Sequence, residues 1–257
     1  YGASVPFDRS VPAWEQELGA VLAVHRSYFG TEADEADELV AQCRLDQVEG
    51  RLPHVSIKPR STWRDVASGT RDDWLTGMLR PLAELGSAVI LTVHHEPEND
   101  AGRPGMEPPD YVAMQEHVIE VAARIAPRVL VAPVLQHWTF EPLRDDADPS
   151  VWIVPGAAVF GIDVYNPWSP TNGKSWRSLG SKLDEAAPWI GDRPIVIGEY
   201  GSRNDPSNPT LGAEWLRDAA EYALTHGVIS MSYYNSGDNA PDGSWALAGA
   251  MEAAFAD

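Results

Sequence analysis

Eight apolar runs rich in valine and isoleucine, each followed by a segment of helical or loop character, narrow most sharply what this chain can fold into. They read GASVP (2–6), AVLAVHRSYF (20–29), HVSIKP (54–59), AVILTVHHE (88–96), RVLVAPVLQ (128–136), VFGIDVY (159–165), PIVIGEY (194–200) and VISMSYY (228–234). Nearly continuous apolar character, rather than strict alternation, marks strands covered on both faces. Helical patterns lie between them. TRDDWLTGMLRPLAEL places Thr70 as an N-cap ahead of acidic first-turn residues. EPPDYVAMQEHVIEVAARIA carries Val112, Val118, Val121 and Ile125 at helical spacing. SLGSKLDEAAPWI, NPTLGAEWLRDAAEYALTHG and SWALAGAMEAAFA supply later helices, and Gly191 and Gly227 sit where helices end. The stretch after the fifth run, HWTFEPLRDDADPSVWIVPG, shows no helical pattern.

Eight strands alternating with helices in 257 residues predict an α/β fold, a single (β/α)8 TIM barrel over residues 1–257. The rival, a doubly wound open sheet, calls for a glycine-rich phosphate turn after an early strand, and none is present. No repeat, low-complexity linker or break in composition divides the chain.

Composition excludes several partners. A formal net charge of −19 without a basic cluster opposes nucleic-acid binding and an anionic lipid surface, whereas a neutral polysaccharide is compatible with it. No apolar run reaches the roughly 20 residues of a membrane span. Cys43 is the only cysteine and reads as a packed residue. No basic, apolar leader opens the sequence.

In a barrel of this kind the C-terminal strand ends converge on one mouth, where chemistry is carried out. Those ends are crowded with polar groups: His25 and Arg26; Lys58 and Arg60; His94, His95, Glu96, Glu98 and Asn99; Gln136, His137 and Trp138; Asp163, Tyr165, Asn166 and Trp168; Glu199 and Tyr200; Tyr233, Tyr234 and Asn235. The opposite ends largely lack them. Glu96 and Glu199 share one local setting, at the end of an apolar run on the fourth and seventh strands. Two carboxyls facing one cavity suit glycosidic bond cleavage, one protonated to serve the leaving oxygen and one ionised to attack. By alternation Glu98 lies on the same side as Glu96 and competes with it for the acid role. A metal site of Asp163 with His94, His137 and a glutamate is the other chemistry available. Barrels of that type carry a His-x-His pair on the first strand, and YGASVP has none.

HHEPEN on the fourth strand and IGEYGS on the seventh resemble the retaining glycoside hydrolases of clan A. The histidine directly before Glu96 and the GIDVY run are similar to glycoside hydrolase family 26, which includes β-mannanases and enzymes of mixed-linkage β-glucan and xylan. The resemblance implies Glu96 as general acid/base, Glu199 as nucleophile, His95 as a contact near the scissile bond, Tyr165 as a partner of the nucleophile and Arg26 as the second-strand arginine of the clan. Trp168, Trp138, Tyr234 and Asn166 complete the candidate substrate contacts, Trp168 first among the stacking platforms. Two departures stand out. Glu98 precedes Asn99 where the family has an asparagine soon after the acid/base, and the eighth strand ends in SYYNSGD without the clan's tryptophan, leaving Tyr233, Tyr234 or Trp245 for its place. The expectation is a retaining endo-β-glycosidase acting on a plant, microbial or surface β-glycan, β-mannan first and then mixed-linkage or other β-glucan or xylan. Such an enzyme would be secreted, monomeric and without metal or organic cofactor. A catalytically silent carbohydrate-binding barrel is the alternative.

Overall fold

The computed structural model describes all residues except 6–8, 31–32, 145–147, 204, 206 and 239–243, with 33–35 described as backbone only. Nine strands form one sheet: β1 (Gly2–Ser4), β2 (Val24–Phe29), β3 (Leu52–Ile57), β4 (Val89–Val93), β5 (Val129–Val131), β6 (Val134–Gln136), β7 (Phe160–Asn166), β8 (Ile195–Ser202) and β9 (Val228–Tyr234). Each pairing is parallel, in the order β5-β4-β3-β2-β1-β9-β8-β7-β6. The ends of that order, β5 and β6, are consecutive pieces of one extended segment separated by Ala132 and Pro133. The sheet therefore closes as an eight-stranded barrel whose fifth strand is broken at a proline, which has no N–H for the ladder. Both sides of the break stay tied to the β4 segment: Ala132 N donates to Leu91 O (2.9 Å) and Glu96 N to Val134 O (3.0 Å). Gly161 makes the break possible, since a Cβ there would lie 2.1 Å from Pro133 O.

The helices are α1 (Val11–Leu18), α2 (Ala33–Val48), α3 (Trp63–Ala67), α4 (Asp72–Glu84), α5 (Pro108–Ile125), α6 (Leu179–Ile190), α7 (Leu211–Thr225) and α8 (Ala250–Ala256). Helix α4 starts two residues after Thr70, whose hydroxyl bonds Ser68 instead; the first residue outside the helix, Arg71, makes no side-chain cap. The cap chemistry falls on the preceding short helix, where Thr62 and Asp65 form a capping box. The last helix is shorter than its pattern, because Trp245 and Leu247 are buried in the loop before it. Residues 137–159 contain only short 3-10 turns among those described.

Outward-facing strand residues such as Val55, Ile57, Leu91, Ile162 and Ile197 pack with helix residues Trp14, Leu39, Leu75 and Val118 in the main core. The inward rows are different. Parallel partners share a face, so Arg26 lies in register with His54 and Ile90, and Tyr28 with Ser56 and Thr92. The inside of the barrel from β2 to β4 is therefore largely polar, with His54 donating to or accepting from Thr92 at 3.1 Å.

Candidate active site

Glu199 owes its position to a bulge. The β7–β8 register runs Ile162 with Ile197 and then Asp163 with Glu199, leaving Gly198 as the extra residue. A Cβ at Gly198 would come 2.6 Å from Asp163 Oδ1, so glycine lets the two strands close while Asp163 and Glu199 are set side by side on the inner face. Glu199 is buried and both its oxygens are held by phenols: Tyr28 donates to Oε1 at 2.7 Å and Tyr165 to Oε2 at 2.5 Å.

Across the mouth, the end of β4 takes an uncommon backbone path. His94 (φ 60°) and Glu96 (φ 49°) are the non-glycine residues with positive φ among those described. Side chains rarely accept this conformation, and it persists where surrounding contacts over-determine it. Those contacts are present. Trp63 Nε1 donates to His94 Nδ1 (3.0 Å), His94 Nε2 bonds Asp100 Oδ2 (2.9 Å), and Asn99 Nδ2 donates to Glu96 Oε2 (3.0 Å). The result brings Glu96 over the barrel, where one oxygen each of Glu96, Asp163 and Glu199 lies within 4.8 Å of the others.

The electrostatics separates these groups. Burial, then the charges of Glu199 and Glu98, push the Glu96 carboxyl up to about 8, so it holds its proton at neutral pH. Burial, then Glu199 and Glu96, raise Asp163 well above the carboxylate range. Burial and Glu199 likewise hold Tyr28 and Tyr165 in their phenol forms, each able to donate. Burial, then the positive charge of Arg26, depresses His95, which stays neutral and meets Ser56 Oγ through Nδ1 at 2.7 Å.

An aromatic wall completes the mouth. Tyr28 packs against His95 (5.5 Å between centroids) and edge-on to Tyr234 (6.5 Å); Tyr165 meets Tyr234 (6.1 Å) and Trp245 (4.7 Å). A cavity of about 780 Å³ lies beside this wall, lined by Tyr28, Arg26 and Tyr234 together with Ser4, His25 and Gln42; Glu96, Asp163 and Glu199 are not among the residues that line it.

Glu96, Glu199, His95, Tyr165 and Tyr234 are thus brought together. Other candidates are placed elsewhere. Arg26 is buried in mid-strand, its guanidinium 5.0 Å from the Tyr28 ring and without a hydrogen-bond partner among the described residues; the β2 group that touches Glu199 is Tyr28. Asn166 is fully buried, with Nδ2 donating to Ser202 Oγ and Oδ1 accepting from Arg177 N, so its amide is used within the fold rather than offered to a ligand. Trp168 is half-buried and edge-on to Trp176 at 5.3 Å, and Trp138 is half-buried beneath the Arg144 guanidinium at 4.0 Å. His25 points out of the barrel to Asp46 on α2. Glu98 turns from the mouth into the β6 loop, accepting from Gln136 N (2.9 Å) and Thr139 Oγ1 (2.6 Å). Tyr28 escaped the sequence reading because Arg26 was placed at the strand end; alternation from Arg26, with β2 running on to Phe29, puts Tyr28 on the same inner face one step nearer the mouth.

Among the described residues the three carboxylates are also the group whose spacing could take a metal ion. The histidine-containing set is not assembled. His94 is bound to Trp63 and Asp100, and His137 to Glu185 and Lys182.

The structures similar in fold to this chain include glycoside hydrolases, and at their low identity the likeness is one of fold. GH5_18 from Streptomyces cattleya, solved as a variant in complex with Manβ1-4GlcNAc, superposes with a TM-score of 0.69 at 16% identity, covering 99% of this chain and 78% of that one. GH26A from Muricauda sp. gives 0.60 at 12% identity over 91% and 82%. The catalytic domain of Thermobifida fusca endoglucanase Cel5A gives 0.60 at 12% identity over 96% and 81%. No protein-family model and no curated protein matches the sequence.

Proposed function

We propose that this chain is a retaining endo-β-glycosidase of clan A, with the histidine before Glu96 and the GIDVY run pointing to glycoside hydrolase family 26, and with residues 1–257 as one catalytic domain. The observation that carries the reading is the facing pair: Glu96, protonated at neutral pH, and Glu199, gripped by two phenols, with carboxylate oxygens within 4.8 Å. Retaining glycosidases place their carboxyls about 5–5.5 Å apart, whereas inverting ones leave about 6.5–9.5 Å for a water.

In the first step a Glu199 oxygen attacks the anomeric carbon as Glu96 gives its proton to the departing glycosidic oxygen. In the second, ionised Glu96 takes a proton from water, whose oxygen replaces Glu199 at that carbon. Tyr28 and Tyr165 hold the nucleophile in line. His95, neutral and steered by Ser56, offers Nε2 to a sugar hydroxyl beside the scissile bond. Trp168, Trp138 and Tyr234 are the aromatic surfaces for sugar rings outside that position. β-Mannan is the first substrate to try, a choice that rests on the resemblance of the HHE and GIDVY motifs, followed by mixed-linkage β-glucan, other β-glucans and xylan; the Manβ1-4GlcNAc bound in the Streptomyces structure shares only its β-mannosyl unit with mannan. Action on such polymers would take place outside the cell.

The test is reducing-end release from that polymer panel by the intact chain and by Glu199→Ala. Activity on one polymer that disappears in the variant supports the reading. Activity that survives Glu199→Ala removes Glu199 as nucleophile, and silence on every polymer overturns the glycosidase assignment.

A further inference from the structure

Glu98 is a carboxyl that neither step of the proposed reaction uses, yet it stands two residues from Glu96 and inside the protein. Its Oε1 takes two hydrogen bonds from one loop, Gln136 N at 2.9 Å and Thr139 Oγ1 at 2.6 Å, while Oε2 is buried and has no hydrogen-bond partner among the described residues. An acid in that environment is costly to keep unless it has work to do. A loop clamp alone would be served as well by an uncharged acceptor.

The turn it clamps is the one that aims Glu96. Residues Pro97–Asn99 form a single 3-10 turn, preceded by Glu96 in the left-handed region. Glu96 N is bonded to Val134 O on β6, and Asn99 closes back on Glu96 through both backbone and side chain. Glu98 adds a second tie from the same turn to the far side of β6. The loop it reaches is itself anchored, since His137 is fixed by Glu185 on α6 at 2.9 Å. The strained Glu96 backbone is thus fastened between two rigid elements.

We propose that Glu98 is a positioning residue for Glu96, clamping to β6 and the loop after it the turn that holds Glu96 over Glu199. This rests on the glycosidase reading. The groups facing Glu96 are Glu98 and Asn99 from its own turn, Lys58 beyond β3, Gln136 from β6, Asp163 from β7 and Glu199 from β8. Those facing Glu98 are Gln136 at the end of β6, Thr139 from the loop after it, Lys58, Tyr111 from α5 and Glu96. Burial lifts the Glu98 carboxyl to about 7, with the Thr139 hydroxyl pulling the other way. The two titrations therefore overlap, and the negative charge that Glu98 gains makes the Glu96 proton harder to remove.

The test is a titration followed by the side-chain carboxyl ¹³C signals of labelled glutamates, with Glu96 assigned through Glu96→Gln. Glu98→Gln keeps an oxygen for Gln136 and Thr139 but no charge. The Glu96 midpoint is expected to fall by about half a pH unit or more, and the alkaline limb of kcat/KM to move with it. Thr139→Val, which removes a donor to Glu98 while leaving both glutamates in place, is expected to raise the Glu98 midpoint and serves if Glu98→Gln does not fold. An unmoved Glu96 midpoint in Glu98→Gln, or an unmoved Glu98 midpoint in Thr139→Val, overturns the proposal. Wild-type protein inactive on every glycan overturns the glycosidase reading instead, and does so independently of the titration.

Discussion

Replacing Glu96 by glutamine should make the protein more stable while removing its chemistry, and the size of the gain should depend on pH. The Glu96 carboxyl is pushed from an ordinary 4.5 up to about 8, first by burial and then by Glu199 and Glu98. Between those limits the folded chain keeps a proton that the unfolded chain has released. The folded state therefore binds more protons, and wild-type stability falls as pH rises through this window. At about 1.4 kcal/mol per pH unit, the cost at neutral pH has a ceiling of roughly 3 kcal/mol. Glu96 is half-buried, and solvent screening on its open side brings the expected value to about 1–2 kcal/mol. Glutamine has the same shape, can still accept from Asn99, and carries no charge to desolvate. Urea denaturation at about pH 4 and about pH 7.5 checks this: the variant should match the wild type in acid and exceed it at neutral pH. A gain of equal size at both pH values would refute the electrostatic account. No gain at neutral pH would show that Glu96 is not held in the low-dielectric, like-charged setting described above.

Three further outcomes are expected. Tyr28→Phe and Tyr165→Phe each remove one charge-assisted bond to Glu199, worth about 1.5–3 kcal/mol, and should lower kcat by roughly 10- to 100-fold; a change under about twofold in steady-state kinetics would mean that the phenols do not orient the nucleophile. The kcat/KM profile should fall above about pH 8 as Glu96 loses its proton, and a profile flat well beyond that removes Glu96 as the acid. Trp63→Leu should cost about 2–4 kcal/mol in denaturant unfolding, because the ring is fully buried and its N–H fixes His94; a loss near zero would show that the β4 turn does not depend on that bond.

Much of the architecture was legible because strand character is local. Apolar β-rich runs such as IVIG and ILTV mark themselves, and eight of them alternating with helical segments leave few topologies. Glu96 and Glu199 were visible for a related reason, since each is a charged residue ending such a run. Element ends were harder. The Thr70 cap was displaced because the chain first makes the Trp63–Ala67 turn, and the choice between Thr62 and Thr70 turns on tertiary packing of Trp63 against His94 and Tyr111. Asn166 and Arg26 show the same limit. Each has polar chemistry at or near a strand end, but whether the group faces the mouth, a neighbouring loop or the barrel interior follows from register and side-chain packing.

The sequence by itself determined the class of fold and the identity of the two facing glutamates, because hydrophobic periodicity and a carboxylate at a strand terminus are properties of short segments. Only the tertiary structure decided that Tyr28 rather than Arg26 grips Glu199, that Glu98 turns into the β6 loop while Glu96 faces the mouth, and that Asp163 joins the pair. Those outcomes depend on a bulge at Gly198, a left-handed residue at Glu96 and a strand broken at Pro133. The energy that favours each comes from partners far away in the chain, which bear on a residue only after the barrel has closed.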